Sequence, residues 1–263
     1  MLKSNHTQRE KMMLKTLLFL TLLLPLSANG GYPCYQECPV SMAKLRYFPE
    51  SCGPGAYLDP SVTKQIARET VASILEVGSR DARDAIALSE YYKCHVYAFE
   101  CNPECLAICK HNSSLTKNIT IVEKAAWDQS GEIPFYPIFA ENGKIRDPGS
   151  SSCFQLTDKN LLRYSQGEIM VPAIRLDEWM EGQHIDHFDL ICMDTQGATL
   201  KILQGMGDKL KKTRYIVAEC EVDFNYKEEC LLPELQAFLG GLGFTQVPTD
   251  LPWDYLFVNK NLD

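Results

Sequence analysis

At 263 residues the chain is long enough for one sizeable α/β domain with a well-buried core. Its composition is that of an ordinary globular protein, and a net charge of -8 argues against nucleic acid as a general partner. No internal repeat, low-complexity tract or long single-sign run points to a solenoid or an interaction tail.

The chain opens on Lys3, Arg9, Lys11 and Lys15, then an apolar run over residues 16–24, then Pro25 and small residues through Gly31. A basic region, a short apolar core and a cleavage-like Ala28-Asn29-Gly30 form the pattern of a secretory signal peptide over residues 1–30. The apolar run is too short to span a bilayer comfortably, so no stable membrane span is expected after cleavage; an uncleaved anchor is the alternative. In either case the rest of the chain is expected to be secreted or to face the lumen of the secretory pathway. Eleven cysteines suit that oxidising compartment. Cys34, Cys38 and Cys52 fall in a Cys/Pro/Gly-rich lead-in, residues 31–58, and are expected to be stapled to each other or to the domain. Cys94, Cys192 and Cys220 lie in or beside apolar strands and read as buried free thiols. Cys34-x3-Cys38 has no second pair at ligand spacing, so no metal site is expected.

The domain, residues 59–263, begins with a helix expected to run from Asp59-Pro60-Ser61 to about Ala72. A strand follows over 73–79, then a helix near 81–92 with Asp81 and Asp84 at its positive end. A second strand, 95–101, leads through Asn102-Pro103 into a helix over 104–111. Asn112-Ser113-Ser114 and Asn118-Ile119-Thr120 are both glycosylation acceptor patterns, expected in the surface loop that follows. The next strand, 119–125, ends in Ala125-Ala126-Trp127, and 131–138 reads as a further extended segment. Residues 139–170 are polar and weakly periodic, a long connection expected to be a lid or partly disordered. After an extended piece over 171–176 and a short helix opened by Asp177, the alternation restarts: strand 188–194, helix 198–206, strand 214–220, helix 231–239. The last segments, 244–247 and 255–258, read as a hairpin. The fold class is α/β: a doubly wound, mostly parallel, seven-stranded sheet closed by an antiparallel strand pair.

Two strand ends carry chemistry. The first runs Ile74-Leu75-Glu76-Val77-Gly78-Ser79, and the second ends at Glu100, about one βα unit on. A glycine turn followed by an acid some twenty residues later is how an open α/β sheet holds an adenosine, the acid accepting the ribose hydroxyls.

With these residues in view, the stretch from Ile74 to Val258 resembles the FkbM-type methyltransferases, with a Rossmann-like fold. Four blocks in the family's order carry the resemblance: Glu76-Val77-Gly78-Ser79-Arg80-Asp81; Val96-Tyr97-Ala98-Phe99-Glu100-Cys101-Asn102-Pro103; Val171-Pro172-Ala173-Ile174-Arg175-Leu176-Asp177-Glu178-Trp179; and Asp189-Leu190-Ile191-Cys192-Met193-Asp194-Thr195-Gln196-Gly197-Ala198. The resemblance implies S-adenosyl-L-methionine as cofactor. It implies Glu76, Gly78 and Ser79 around the methionine portion, Glu100 on the ribose, Asn102 near the adenosine, and Ala126 and Trp127 flanking the adenine. On plainer readings Glu76 ties down its own loop and Trp127 is packing. Asp194 becomes the candidate base, since an attacking hydroxyl must lose its proton. Asp177 and Gln196 are candidates for the acceptor side; as catalytic groups Asp177 and Glu219 are weaker candidates, and on the plainer reading they have structural roles in a helix cap and at a strand end. Members of the family often carry a lysine two residues before this aspartate and an acid just after the Gly-Ala; here stand Cys192 and Thr199.

The expected function is therefore O-methylation of a hydroxyl on a carbohydrate or other small acceptor. The alternative is a secreted, disulfide-stapled glycoprotein that keeps the fold and acts as a non-catalytic binding protein. A nicotinamide dehydrogenase is disfavoured by the missing three-glycine turn.

Overall fold

The computed structural model describes residues 44–46, 56–139 and 147–262. The expected signal peptide, Cys34, Cys38 and Cys52 lie outside the described residues. The described elements all belong to one compact unit, Glu37–Asp263.

The elements in chain order are α1 Pro60–Thr63, β1 Ser73–Val77, α2 Arg83–Tyr92, β2 His95–Phe99, α3 Pro103–Ser113, β3 Ile119–Val122, β4 Ala125–Trp127, β5 Gly131–Phe135, β6 Ile138–Phe139, α4 Asp158–Leu161, β7 Ser165–Gln166, β8 Ile169–Arg175, α5 Leu176–Gly182, β9 Leu190–Met193, α6 Thr199–Gln204, β10 Tyr215–Glu219, α7 Leu232–Gly241, β11 Phe244–Val247 and β12 Asp254–Asn259. Seven strands form the main sheet in the order β11-β12-β10-β9-β1-β2-β3. All pairings are parallel except those of β12, which is antiparallel to both β10 and β11. The expected sheet and its closing antiparallel pair are both present. Because β1 pairs with β2 on one side and β9 on the other, the chain changes direction of travel at β1, and ligands bind at such a switch point in open α/β sheets.

The central strands are apolar because both faces are covered. Ile74, Leu75, Leu190, Ile191 and Ile216 are fully buried. On the β2 side, the Trp179 ring from α5 meets Phe99 at 4.9 Å and Tyr97 at 5.5 Å between centroids, both edge to face. That is the favourable geometry for aromatic pairs. Helix α3 starts where the sequence says it should: Asn102 Oδ1 accepts the Glu104 N–H at 3.1 Å, Pro103 occupies the first turn, and Lys110 and His111 sit in the last.

Three expectations are corrected. The helix expected over 59–72 is one turn, because its exit is tethered elsewhere: Gln65 Nε2 donates to the Pro248 carbonyl and Ser61 Oγ accepts the Asp250 N–H. Val62, Ile66 and Val71 are nevertheless buried. The strand expected over 119–125, ending in Ala125-Ala126-Trp127, breaks after Val122, where Lys124 N–H bonds back to the Val122 carbonyl. Its second half leaves the main sheet and pairs with β8, which pairs antiparallel with β5 on its other edge. The third correction concerns Asn112. Its side chain is 0% exposed in the last turn of α3, and Nδ2, the atom that would carry a glycan, donates to the carbonyls of Arg46 and Asp81 at 2.7 Å each. Asn118, by contrast, is exposed.

The connection expected over 139–170 is closed at its base. β6 and β7 pair antiparallel, Ile138 with Gln166 and Phe139 with Ser165.

The β1–β9 junction yields a direct test. A β-carbon at Gly78 would lie 1.8 Å from the Asp194 carbonyl oxygen, and the residue has φ +87°. Gly78→Ala is expected to cost about 2–4 kcal/mol in urea unfolding, since it adds a backbone clash to a left-handed conformation. Gly240→Ala, in α7 with nothing within 4 Å of the added carbon, is expected to change stability by less than about 1 kcal/mol.

Candidate active site

The cavity, about 340 Å³, opens along the carboxyl ends of the main-sheet strands. In sheet order its wall takes Glu100 after β2, Val77 to Arg80 after β1, Asp194 after β9, Glu219 at the end of β10 and Asp254 at the start of β12. Because β12 is antiparallel, its first residue falls at the same edge as its neighbours' last ones.

The turn after β1 is built from backbone. Gly78 and Ser79 N–H groups both donate to the Phe99 carbonyl at 3.1 Å, and Asp194 N–H donates to the Val77 carbonyl at 3.1 Å. Gly78 is therefore required by the approach of the β9 end. It also lines the cavity. Arg80 and Ala82 then adopt φ of 51° and 60°, which folds the turn tightly enough for Arg80 N–H to reach Glu100 Oε2 at 2.7 Å. Burial works against the Arg80 guanidinium, but Asp81, Asp194 and Asp84 outweigh it and hold its charge firmly.

Glu76 does not line the cavity. It is buried beneath the turn, its Oε2 accepting the Ser79 hydroxyl at 2.6 Å, so it ties down its own loop. Burial, then the Asp84 charge, push its carboxyl up to about 8. Cys192 stands opposite Glu76 in the β1–β9 register. A lysine at that position would stand beside the acid as a counter-charge; a thiol cannot, which leaves Glu76 protonated at neutral pH.

Glu100 and Asn102 both line the cavity. Glu100 is 7% exposed, and its two oxygens accept the Arg80 and Asn102 N–H groups at 2.7 Å each. Each carboxylate oxygen retains a further lone pair for a hydroxyl donor. Burial raises its pKa, and the backbone N–H of Asn102 opposes the rise. Asn102 caps α3 through Oδ1, while its Nδ2 is buried on the cavity wall with no hydrogen-bond partner among the described residues. A buried donor left unpaired is costly, so this atom fits a ligand acceptor.

The other end is acidic. Gln196, at φ 49°, donates Nε2–H bonds to Asp194 Oδ1 at 2.6 Å and Glu219 Oε2 at 2.8 Å, and its Oε1 accepts the Tyr226 hydroxyl at 2.8 Å. Burial, then the neighbouring Asp194 charge, push Glu219 well up, so Glu219 carries the proton the pair shares. Asp254 is pushed up to about 7 by burial and by Asp194. Ser152 Oγ donates to the Gln196 carbonyl at 2.7 Å, and Tyr226 also donates to the Ser150 carbonyl, so the 147–153 segment forms the roof. From the connection expected to be a lid or partly disordered, Asp147, Gly149 and Ser152 line the cavity.

Of the residues expected at the site, Gly78, Ser79, Glu100, Asn102, Ala126 and Asp194 line the cavity. Trp127 does not; it is buried in the core against Phe154, at 5.7 Å between centroids, with Ala126 and Ala125 in the wall instead. Asp177 does not line it either. Its carboxylate makes a paired contact with Arg175 at 2.8 and 2.9 Å at the start of α5. Gln196 is a positioning residue between the two acids. Sequence reasoning missed Tyr57, Asp84 and Asp254. Asp254 precedes the expected last strand, 255–258, and Tyr57 sits in the lead-in, yet both line the cavity.

This cavity at the strand ends of a doubly wound sheet, with a buried acid after β2 and an unpartnered amide donor beside it, has the layout of a nucleoside-binding site. The family model described as "Methyltransferase FkbM domain" matches residues 76–245, and the chain belongs to that family. It is a methyltransferase that uses S-adenosylmethionine. The chain is similar to the 2-O-methyltransferase NoeI of Sinorhizobium fredii (strain NBRC 101917 / NGR234), 29% identical over 199 residues, covering 72% of this chain and 80% of that one. Among solved structures it is similar to a putative O-methyltransferase from Klebsiella pneumoniae, with a TM-score of 0.44 and 12% identity over 97% of this chain and 100% of that one. It is also similar to the Aeropyrum pernix fibrillarin with bound S-adenosyl-L-methionine, with a TM-score of 0.41 and 11% identity over 73% and 68% of the two chains.

The residues present fit the cofactor. Glu100 would take the ribose hydroxyls, Asn102 Nδ2 an acceptor of the adenosine, and the acids along the edge a cationic sulfonium.

Glu76 and Asp254 set a pH dependence. Both carboxyls have raised pKa values in the folded protein, so the folded state holds their protons over a range where the unfolded chain has released them. The stability they contribute is full below their unfolded values and is lost as pH rises through about 7 for Asp254 and about 8 for Glu76. The thermal midpoint is expected to fall between about pH 5 and pH 8, and Glu76→Gln to flatten that fall. A wild-type midpoint that climbs over this interval would contradict the assignment.

Proposed function

We propose that the protein O-methylates a hydroxyl group of a carbohydrate or other small acceptor, in the secretory pathway or outside the cell. The observation that carries the reading is the single cavity that joins Glu100 and Asn102 at the β2 end to the Asp194–Glu219 pair at the β9–β10 end. One end suits a nucleoside, and the other suits a group that must lose a proton. The similarity to NoeI, a 2-O-methyltransferase, supports a hydroxyl acceptor. The basic-apolar amino-terminal pattern and the exposed Asn118 acceptor triplet support export.

When bound, S-adenosylmethionine supplies an electrophilic methyl group on a sulfonium. The rest is the chain's own work. Asp194 is the carboxylate exposed at the cavity, positioned to accept the proton of an incoming hydroxyl. Gln196 fixes its rotamer and spaces it from Glu219. Glu219, holding its proton, spares the site a second full negative charge and leaves the base role to Asp194. The roof built from 147–153 restricts water at the reacting end, and alignment of hydroxyl against donor supplies most of the rate.

Asp194→Asn keeps the Gln196 contact possible and removes the base. Turnover is expected to fall by about 10²–10⁴-fold while donor affinity stays within a few-fold. Transfer of labelled methyl from S-adenosylmethionine to a panel of glycans and small alcohols, with mass spectrometry locating the methyl, is the test. Methyl found on nitrogen or carbon only would overturn the hydroxyl reading.

A further inference from the structure

Eight described cysteines carry free thiols, and four of them form two contacting pairs. Cys101 follows directly on Glu100 after β2, and Cys153 follows Ser152 in the roof segment; both line the cavity, and their thiols are in hydrogen-bonding contact. Both are partly exposed, so a reagent can reach them. The second pair comes from a different place. Glu221 and Leu231 form a parallel bridge, which sets Cys220 and Cys230 side by side; Cys220 Sγ lies 3.4 Å from the Cys230 carbonyl oxygen, and the two thiols touch. The chain between them carries Tyr226 and Glu229, whose carboxylate accepts the Asn225 and Tyr226 N–H groups.

We infer that Cys101–Cys153 and Cys220–Cys230 are disulfide cross-links of the mature protein, stapling the two loops over the cavity to the ends of β2 and β10. The arrangement differs from the sequence expectation, which placed the staples at Cys34, Cys38 and Cys52 and read Cys220 as a buried free thiol. Closing each contact to the bonded distance of about 2.05 Å requires side-chain rotation within pairs already touching. The reaction is exchange with a disulfide-carrying oxidoreductase or oxidised glutathione. One protein thiolate attacks the reagent disulfide, forming a mixed disulfide and expelling one thiol. The second protein thiolate attacks the mixed disulfide and expels the other. Two protein thiols are oxidised, one reagent disulfide is reduced, and the two protons leave with the two reagent thiols. In the second pair Cys230 is the natural attacker, since its contact with Cys220 draws its thiol pKa down.

The consequence is mechanical. Tyr226 and Ser152 both hold Gln196, so the loops that carry them set the spacing of Asp194 and Glu219. A Cys101–Cys153 bond fixes the roof directly against the residue beside the ribose acid.

The test uses the full folded chain equilibrated in glutathione buffers from fully reducing to fully oxidising, then alkylated, digested and mapped by mass spectrometry. The expected result is peptides linked 101–153 and 220–230 in the oxidising buffers, with Cys94, Cys105, Cys109 and Cys192 recovered as thiols. Cys153→Ser is expected to abolish the first linkage and leave Cys101 alkylated, without affecting the second. Recovery of Cys101, Cys153, Cys220 and Cys230 as free thiols in the most oxidising buffer would overturn the proposal, as would their linkage to other cysteines. Mapping reads linkage rather than methyl transfer, so its result is independent of the function proposed above.

Discussion

The structure depends on one close approach: the Asp194 carbonyl at the end of β9 occupies the space a side chain at residue 78 would need. Only a glycine in a left-handed conformation lets β1 and β9 end together this tightly. Their union places the turn that faces the nucleoside end next to the carboxylate that faces the acceptor end. Were the strands to part by the width of a methyl group, the Asp194–Glu219 pair would move away from Ser79 and Glu100, and a single cavity would no longer join them.

Around that junction the electrostatics are one-sided. Glu100, Asp84, Asp194, Glu219 and Asp254 line the same cavity, with Arg80 and Lys124 as the cations in its wall. Burial raises the pKa values of Glu100, Glu219 and Asp254, and the Asp194 charge raises the last two further. Such a site favours a ligand that brings positive charge, which S-adenosylmethionine does at its sulfonium. Glu76 belongs to the same balance from below. The family's frequent lysine is replaced by Cys192, and the acid beside it stays neutral as a hydrogen-bonded tie for Ser79. At Cys192 the chain thus departs from the family pattern beside a residue that supports the turn; at the second departure, Thr199, the hydroxyl donates to the Glu219 carbonyl.

The sequence made the main sheet legible because its strands are buried on both faces and bounded by glycine, proline and acids; β1, β2, β9 and β10 fall within a residue or two of expectation. What it concealed has physical causes. The break between Val122 and Ala125 is invisible in a run of apolar residues, since the residues stay apolar while the pairing partner changes. Asn112 satisfies a glycosylation pattern locally, but tertiary contacts with Arg46 and Asp81 consume its amide. Trp127 and Asp177 were drawn to the site by resemblance, and packing places one in the core and the other in an ion pair. Asp254 and Tyr57 were unreadable because they come from segments distant in sequence that meet only when the sheet closes. Glu100 was legible because the adenosine end uses a local pattern: a strand, a turn and an acid about twenty residues on.

The central claim is that Glu100 and its neighbours bind the methyl donor. Calorimetric titration of the folded chain with S-adenosylmethionine, beside a Glu100→Gln variant of matched thermal stability, tests it most directly. The account predicts saturable one-site binding by the wild type, weakened about tenfold or more in the variant, since one acceptor of the ribose hydroxyls becomes a donor. Equal affinity in the two proteins would contradict the assignment of Glu100. Absence of binding by a folded wild-type sample would contradict the donor site as a whole.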